Sequence, residues 1–562
     1  MKKRLFIYLT LFAVIFSCSD DFTDVPAIGA LSDQTLQNET GVDLLLVGAY
    51  STLDGIRNNA PGAEWHGSGD NWWLDVLSDD AHKGSTDGDQ ADLYLLEIYD
   101  WTAANPYLNM WDSRYAGVNR ANAVIDLIGK IEGGAEQLSG KLAEARFLRG
   151  HYNFELQKMF GNVAFISVEN FSNTEFNQPN DGGPIWDEIE ADFQFAIDNL
   201  PDSQAEVGRP SSWAAKAYLA KAHLFQQDYA AASPLFTDVI NNGPYSLNPE
   251  FLANFSLAGE NSSEAIFTIQ FATAGSIAWN GNQGGTLNFP NALGFCCGFY
   301  QPTQDLVNAY QTDAVTGLPL LDTFNQTDVT NDQDLTSADP FTPHTGPLDP
   351  RVDYTAGRRG IDYNGYGLNP GQDWVRATDA DISGPYLPKK NVYQAGDDGN
   401  FGTGPWGQQF SGVNYHIMRY ADVLLMAAEV AAELNDLPTA LDYVNQVRNR
   451  AKNMSYLQDP GGGDAANYVI EPYVAFASQD EARKAVRFER RLELAMEGHR
   501  LFDLRRWGVA ESVINTYVQN EARTIPNFGT KAGTYVPAMD LLPIPINAID
   551  LSGGVLQQNP GF

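Results

Sequence analysis

Basic residues are scarce in this chain of 562 residues, because 35 Lys and Arg stand against 71 Asp and Glu and give a formal net charge of −36. An acidic surface gains nothing from counterion release, so the charge disfavours nucleic acid and anionic lipid as partners. Histidine is also rare, with 7 residues scattered along the chain. The spacings of zinc sites, H-E-x-x-H metalloproteases, G-x-S-x-G hydrolases and phosphate-binding loops are missing. No catalytic residue, cofactor or metal is therefore predicted.

Long apolar runs are missing after the N-terminus, so no transmembrane span and no alternating barrel is predicted. Residues 1–17 contain one short apolar run, Leu5 to Phe16, which follows the basic residues Lys2, Lys3 and Arg4. That run is too short to cross a bilayer permanently, and its basic start is typical of an export signal. The sequence therefore predicts a signal peptide over 1–17.

Cysteine is nearly absent, with three residues in the whole chain. Cys18 directly follows the apolar run, in a segment that resembles a bacterial lipoprotein signal and implies lipidation of Cys18; an ordinary cleaved secretory peptide is the alternative. Cys296 and Cys297 are adjacent. Two thiols in an exported protein oxidise readily, but neighbouring Cα atoms lie only about 3.8 Å apart across a trans peptide. The sequence leaves two alternatives for this pair, a vicinal disulfide and two free, buried thiols.

Helical patterns fill much of the remaining chain, most clearly in Tyr415–Ala451. The first half of this segment is apolar almost all round, which predicts a helix buried among others. Asn435 and Asp436 end that run, and a stripe at i, i+3, i+4 and i+7 resumes after Pro438, which suits a first helical turn. The segment is therefore predicted to form a helical hairpin.

The same spacing occurs 208 positions earlier in the chain. The matching positions are Ala220, Ala232, Phe236 and Val239 in the first copy and Ala428, Ala440, Val444 and Val447 in the second. Small residues twelve apart, followed by bulky ones four and seven further on, let two helices approach closely and stack on a neighbour, and the pattern resembles a tetratricopeptide repeat. We predict a mainly α fold in which tetratricopeptide-like hairpins support a loop-rich, irregular lobe with short strands.

The predicted organisation has five parts. They are a signal peptide at 1–17, a lipidated tether at 18–40, a helical part at 41–272, a loop-rich ligand-binding lobe at 273–412, and a helical part with a C-terminal wrap at 413–562. Helices are expected over Leu44–Leu53, Met110–Ile131 and Lys141–Phe160, the last with Gly161 as its cap, and a strand over Ala265–Phe271. The lobe is rich in Gly, Pro, Asp and Asn, and a structureless loop of that length is improbable inside a compact domain.

Aromatic residues in the loops are the candidate ligand-binding residues. A sugar ring packs its C–H face on a flat aromatic face, while its hydroxyl groups need amide or carboxylate partners. The loops offer this mixture, and the candidates are Trp65, Trp73, Trp279, Tyr300, Trp374 and Trp406. A core role is equally open for each single ring. Asp87, Asp89 and Asp92 have carboxylates for calcium, but they lack the glycine of an EF-hand loop, and a solvated loop is favoured.

Several short motifs, in order along the whole chain, resemble the SusD/RagB family of outer-membrane lipoproteins of Bacteroidetes. They are Ser17–Asp21, Arg120–Asn122, Ala143–Arg149, Arg419–Leu425, Arg487–Leu494, Glu497–Gly498, Arg505–Trp507, Leu542–Pro545 and Gln558–Gly561. The resemblance implies a cell-surface, lipid-anchored protein that captures an oligosaccharide or polysaccharide without catalysis. It also implies delivery of the glycan to a SusC-like, TonB-dependent barrel transporter.

Three alternatives to a glycan-binding protein remain. Some branches of the family imply a peptide ligand on the same scaffold, and a tetratricopeptide scaffold for protein partners is the second alternative. A glycoside hydrolase is the third, because 71 acidic residues place carboxylate pairs at glycosidase separations by chance. The acidic charge weakly favours a neutral, glucan-like ligand over an anionic one.

The family motifs are structural, so they identify the scaffold and not the ligand. The charged helix over 483–507 is an example, because its arginines and carboxylates alternate at i, i+3 and i, i+4 spacing. Ion pairing along the helix is predicted there, with a buried network as a further possibility.

Overall fold

The structure is a computed structural model, and it describes residues 36–56, 72–173, 178–273, 280–375, 382–390, 392–397, 400–403 and 409–562. Helices dominate this part of the chain. They are α1 Glu39–Tyr50, α2 Trp72–Asp75, α3 Ala91–Glu97, α4 Met110–Lys130, α5 Gly134–Gln137, α6 Ser139–Phe160, α7 Trp186–Asn199, α8 Ser212–Phe225, α9 Tyr229–Asn242, α10 Gln304–Ala309, α11 Val352–Thr355, α12 Tyr420–Glu433, α13 Leu437–Asn453, α14 Gln479–Leu494, α15 Arg500–Arg506, α16 Ala510–Glu521, α17 Pro526–Lys531 and α18 Ile546–Leu551. Among these residues, we find no helix with both the length and the apolar character that crossing a bilayer requires.

The strands are short and form four antiparallel pairs. They are β1 Ala81–Gly84, β2 Ala265–Ile269, β3 Phe299–Pro302, β4 Ala356–Gly357, β5 Leu387–Pro388, β6 Phe401–Thr403, β7 Gln409–Ser411 and β8 Tyr415–Arg419. β1 pairs with β3, β2 with β8, β4 with β5 and β6 with β7. The β2–β8 pair places the start of the loop-rich segment beside its end. The lobe therefore leaves the helical body and returns to it at one place.

The helical body is a series of antiparallel helices that pack on their neighbours in order: α4 on α6, α6 on α7, α7 on α8, α8 on α9 and α12 on α13. The two hairpins with matching spacing, α8–α9 and α12–α13, also touch, because α9 packs on α12. Every residue of α12 from Tyr420 to Ala432 is buried, as its all-round apolar pattern predicts. The predicted mainly α, tetratricopeptide-like fold with a loop-rich lobe is confirmed.

Small residues bring the helices of the body together as expected. Gly117 of α4 lies against the ring of Tyr152 on α6, and a Cβ atom there would meet the ring carbons at about 2.5 Å. Ala220 and Ala428 are both fully buried. The end of α6 follows the predicted cap, since Gly161 has a φ of 68° that a residue with a side chain rarely adopts.

The lobe has an aromatic core of its own. Its buried members are Phe289, Tyr363, Val375, Leu387, Val392 and Tyr393. Tyr393 stacks on Phe401 of β6 with the ring centroids 4.8 Å apart. Many of the aromatic residues in the loops therefore pack inside the lobe. The lobe has few helices or strands whose aliphatic faces could form a core instead.

Buried ion pairs join the lobe to the helical body. Arg419, at the end of β8, donates to Glu264 at 2.8 Å, to Glu493 at 2.6 Å and to Glu497 at 2.8 Å. Lys390 of the lobe donates to Glu497 at 2.8 Å. Each charge in this group is 3% exposed or less. Desolvated charges require such partners, so the network fixes how the lobe sits on α14.

The charged helix α14 is held mainly by partners from distant segments. Arg491 pairs with Asp80 at 2.8 Å and with Asp305 at 2.9 Å, and Arg490 pairs with Asp422 at 2.9 Å. The predicted buried network is present. Pairing at i, i+3 is present at Arg483–Asp480, at 2.6 Å, and at Arg506–Asp503, at 2.9 Å. The expected single helix over 483–507 is wrong, because the structure divides this segment into α14 and α15.

Candidate functional site

Two of the candidate ligand residues belong to the core. Trp73 is fully buried on α2 and packs edge-on against Tyr107, with ring centroids 5.4 Å apart. Tyr300 of β3 is 4% exposed, and its hydroxyl donates to Asp75 at 2.6 Å. The prediction that these rings face a ligand is wrong, because Trp73 is buried in the helical body and Tyr300 is buried in β3, which pairs with β1.

Trp374 is half-buried at the edge of the lobe core. Its ring packs edge-on against buried Tyr363 with centroids 5.9 Å apart, and its carbonyl oxygen accepts from the backbone N–H of Asn291 at 3.2 Å. Phe295 and Tyr366 are also half-buried and pack on each other with centroids 5.5 Å apart. These three rings keep part of their surface at the outside of the lobe.

The sulfur atoms of Cys296 and Cys297 are bonded to each other in the structure, so the alternative of two free thiols does not apply there. Cys296 is half-buried, and Cys297 is buried against the main core. The pair directly follows Phe295. The disulfide therefore lies beside the partly exposed aromatic rings.

Trp65, Trp279 and Trp406, and the predicted lipidation residue Cys18, lie outside the described residues. The described residues on either side of the segments that carry the three tryptophans are nevertheless close together. Ile56 and Asn280 line the same cleft. Trp72 donates from Nε1 to the carbonyl oxygen of Gly284 at 2.8 Å.

The ends next to residues 404–408 belong to the same region. The backbone N–H of Asn282 donates to the carbonyl oxygen of Ser411 in β7 at 2.7 Å. The hydroxyl of Thr286 donates to the carbonyl oxygen of Gln409 at 2.8 Å. The described residues that flank residues 57–71, 274–279 and 404–408 therefore lie on one side of the molecule.

A cleft of about 720 Å³ opens at this side. Its walls are the end of α1, residues 206–209 and the strand end from Thr268 to Ala272, and Arg120 of α4 reaches in from the body. This volume falls in the range of small-molecule and cofactor sites. We define these surroundings as the loop cleft.

Tyr50 and Arg209 form one wall of the loop cleft. The Arg209 guanidinium lies 5.5 Å from the Tyr50 ring centroid and pairs with Glu144 and Glu206, both at 2.7 Å. The Tyr50 hydroxyl donates to Glu144 at 2.5 Å. Burial and the Glu144 charge raise the pKa of Tyr50 well above its usual value, so the phenol stays protonated. The wall is a rigid unit that combines an aromatic ring with fixed charges.

Asp54 and Arg120 lie at the α1 end of the cleft. Burial raises the pKa of Asp54 to about 7, and the carboxylate accepts from the backbone N–H of Ile56 at 2.7 Å. Arg120 donates to the carbonyl oxygen of Gly48 at 2.9 Å and to the Ser51 hydroxyl at 2.8 Å. These bonds hold Arg120 against α1.

Side-chain amides supply the strand side of the cleft. Gln270 exchanges hydrogen bonds with Asn261 at 2.9 and 3.2 Å and accepts from Asn414 at 3.1 Å. Asn414 in turn accepts from the backbone N–H of Phe271 at 2.8 Å. These bonds hold the amide of Gln270, which lines the cleft, in one orientation.

A metal centre finds no support in the described part of the chain, where no group of three or more His, Cys, Asp or Glu side chains could hold an ion. Of the three aspartates weighed for calcium, Asp87 pairs with Lys531 at 3.2 Å, and Asp89 accepts from the Ser85 hydroxyl at 3.0 Å. Asp92 is exposed.

The polar cleft residues Tyr50, Arg209 and Gln270 were not among the sequence candidates. Each lies on or next to a regular element, where a polar side chain is normally a solvated surface residue. Their convergence depends on distant segments packing together, and no local pattern signals it. Arg120 belongs to a motif that resembles the family pattern, which does not by itself indicate a ligand site.

Comparison with known proteins identifies the scaffold. A model described as the SusD family matches residues 263–562, which is more than half of the chain. The chain belongs to the SusD family. A second model, described as "starch-binding associating with outer membrane", matches residues 28–224.

Relatives of this SusD-family protein match over most of their length. A SusD-like protein of Formosa agariphila is 27% identical over 461 residues, which is 80% of each chain. Surface glycan-binding protein A of Bacteroides fluxus superposes with a TM-score of 0.67 at 23% identity, covering 93% of this chain and 100% of that one. The corresponding protein of Bacteroides thetaiotaomicron, in complex with laminarihexaose, gives a TM-score of 0.63 at 19% identity over 93% and 99%. These structures establish the shared fold.

Proposed function

We propose that this SusD-family protein is a cell-surface lipoprotein that binds an oligosaccharide or polysaccharide at the loop cleft, without catalysis. The observation that carries the proposal is the loop cleft itself, in which a fixed tyrosine, an oriented amide and paired charges meet beside Ile56 and Asn280, described residues that flank the segments carrying Trp65 and Trp279. Family membership and the laminarihexaose complex of a structural neighbour support a glycan as the ligand.

Binding would follow from groups that do not need to rearrange. Gln270 and Asn414 already hold each other in place, and Arg209 is fixed by two carboxylates. Such prior orientation reduces the entropy lost when hydroxyl groups of a sugar are bound. Aromatic faces would add area by packing on the C–H faces of the ring. We assign this second role to Trp65, Trp279 and Trp406, with Trp374 at the lobe edge.

Lipidation of Cys18 would hold the protein at the outer membrane, and a TonB-dependent barrel transporter would receive the glycan. These roles rest on the sequence motif at 17–21, on family membership and on the outer-membrane association in the description of the second family model. Labelling with a radioactive fatty acid tests the anchor, since a Cys18→Ala variant would then carry no label. Co-purification with a barrel protein tests the partner.

Isothermal titration against a panel of neutral polysaccharides, anionic polysaccharides and peptides tests the ligand class. We expect a neutral glycan to bind, and no release of reducing ends during prolonged incubation. Peptide binding without binding of any glycan would replace the proposal by the peptide alternative. Release of reducing ends from a bound polysaccharide would replace it by a hydrolase.

Substitutions locate the site. Trp279→Ala removes one of the proposed ligand rings, and loss of a ring that packs on a sugar face is expected to weaken binding at least tenfold, which corresponds to about 1.4 kcal/mol. Trp213→Ala is the matched control, because Trp213 is a half-buried tryptophan of α8 that does not line the cleft. Equal affinity of both variants and the unaltered protein would place the ligand elsewhere.

A further inference from the structure

A second, much smaller cavity lies inside the helical body, away from the loop cleft. It has a volume of about 20 Å³, which is room for one small ion or water molecule. Its wall is built from α4, α6, α8, β8 and the turn that precedes α15. The lining residues are Arg114, His151, Glu155, Lys158, Lys221, Tyr415, Ile417, Glu497, Gly498 and His499. A cavity with this many charged groups does not stay empty.

The carboxylates that line the cavity already have cationic partners. Both oxygen atoms of Glu155 lie 2.8 Å from the Lys158 ammonium. Both oxygen atoms of Glu497 accept from Arg419, at 2.8 Å each, and one of them also accepts from Lys390 at 2.8 Å. The carboxylate oxygens on this wall therefore already accept hydrogen bonds from other side chains.

Lys221 has hydrogen-bond donors to spare. Its side chain is 8% exposed, and its ammonium pairs with Asp422 at 3.2 Å. That Asp422 carboxylate is shared with Arg490, which donates to it at 2.9 Å. An ammonium group has three N–H donors. An acceptor inside the cavity would therefore satisfy the remaining N–H donors of Lys221.

The side chains that line the cavity carry one more positive than negative charge. Arg114, Lys158 and Lys221 bring three positive charges to the wall, against the two carboxylates. Burial lowers the pKa of Lys158 to about 8 against the opposing effect of Glu155, and the charges of Lys221 and Arg114 lower it further. Burial also lowers the pKa of His151 to about 3 and that of His499 to about 4, so both rings are neutral near pH 7.

We infer that this cavity is a binding site for a monatomic anion of the halide class, chloride under natural conditions, held by the ammonium of Lys221 together with the cationic groups of α4 and α6. The ion would join α4, α6 and α8 to the turn at Glu497–His499, and so stabilise the packing of these helices on that turn. Its role is structural and independent of the proposed glycan site.

Bromide replaces chloride chemically and is visible by anomalous diffraction. We expect crystals of the full chain grown in sodium bromide to show an anomalous peak in the cavity. We also expect bromide to raise the Tm above its value in gluconate of the same ionic strength by about 1–3 °C, because ligand binding to the folded state shifts unfolding. Gluconate is too large for a cavity of about 20 Å³.

Two lysines of α8 give a matched pair of variants. Lys221→Met should abolish the difference between bromide and gluconate. Lys216→Met should retain it, because Lys216 pairs with Asp238 at the surface side of the same helix.

A bromide peak with this pattern supports the anion site. If the cavity shows no peak and all three proteins respond equally to bromide, the cavity holds water and the inference is overturned. The diffraction result decides the matter alone if Lys221→Met does not fold.

Discussion

The charge on His82 should make the stability of this protein depend on pH between about 6.5 and 9. The ring is fully buried on β1, and its two nitrogen atoms lie 2.8 Å from Glu97 and 2.9 Å from Glu521. These contacts join α3 to α16 through one side chain. Burial alone lowers the pKa of His82, but the hydrogen bonds and charges of Glu521 and Glu97 outweigh it and raise the pKa to about 9.

The size of the effect follows from the two pKa values. An imidazole has a pKa of 6.5 in the unfolded chain and about 9 here, and each unit of difference is worth 1.36 kcal/mol. Because the folded value is the higher one, the stabilisation of about 3 kcal/mol is fully present below pH 6.5. It declines as the pH rises through 9, where the folded state also loses the proton.

Denaturant unfolding at pH 6, 7.5 and 9.5 measures this term when the protein is compared with His82→Gln. The difference in free energy of unfolding between the two should fall by about 3 kcal/mol from pH 6 to pH 9.5. His344→Gln is the control. Burial lowers the pKa of this half-buried loop histidine, so the difference between the protein and this variant should not fall as the pH rises. A pH-independent difference for His82→Gln would refute the idea that a charged imidazole links the two carboxylates.

Three further substitutions test the contribution of buried residues to stability. Arg419→Met leaves Glu264, Glu493 and Glu497 without a main partner, so it should lower the free energy of unfolding by about 3–5 kcal/mol in denaturant titrations. Trp73→Ala empties a fully buried position and should cost about 3–5 kcal/mol, while titration shows unchanged glycan affinity of the folded protein. Leu424→Ala in α12 should cost about 2–5 kcal/mol by the same measurement, and a loss below 0.5 kcal/mol would contradict the burial of that helix.

The helices of the body could be predicted because their signals are local. Lys141–Phe160 was expected and Ser139–Phe160 is found, with Gly161 at its end in both cases. Met110–Ile131 was expected and Met110–Lys130 is found. Periodic apolar residues and a terminal glycine act within a few turns of one helix, so no distant contact is needed to read them.

The roles of single aromatic residues could not be predicted in the same way. Trp73 and Trp374 both stand among polar and glycine residues, yet the first is fully buried and the second is half-buried. The difference arises from what packs on each ring. Trp73 packs on Tyr107, which is distant in sequence, and the residues around position 73 do not indicate such a partner.

The amino-acid sequence alone determined the helical repeats, the loop-rich character of the lobe and the family to which the chain belongs. These properties follow from local spacing and from the order of short motifs. The tertiary structure decided which charges pair across hundreds of residues and which rings are buried. It also decided that Tyr50, Arg209 and Gln270 meet at one cleft. Such contacts depend on how distant segments pack, and no single segment encodes the side chains that will surround it.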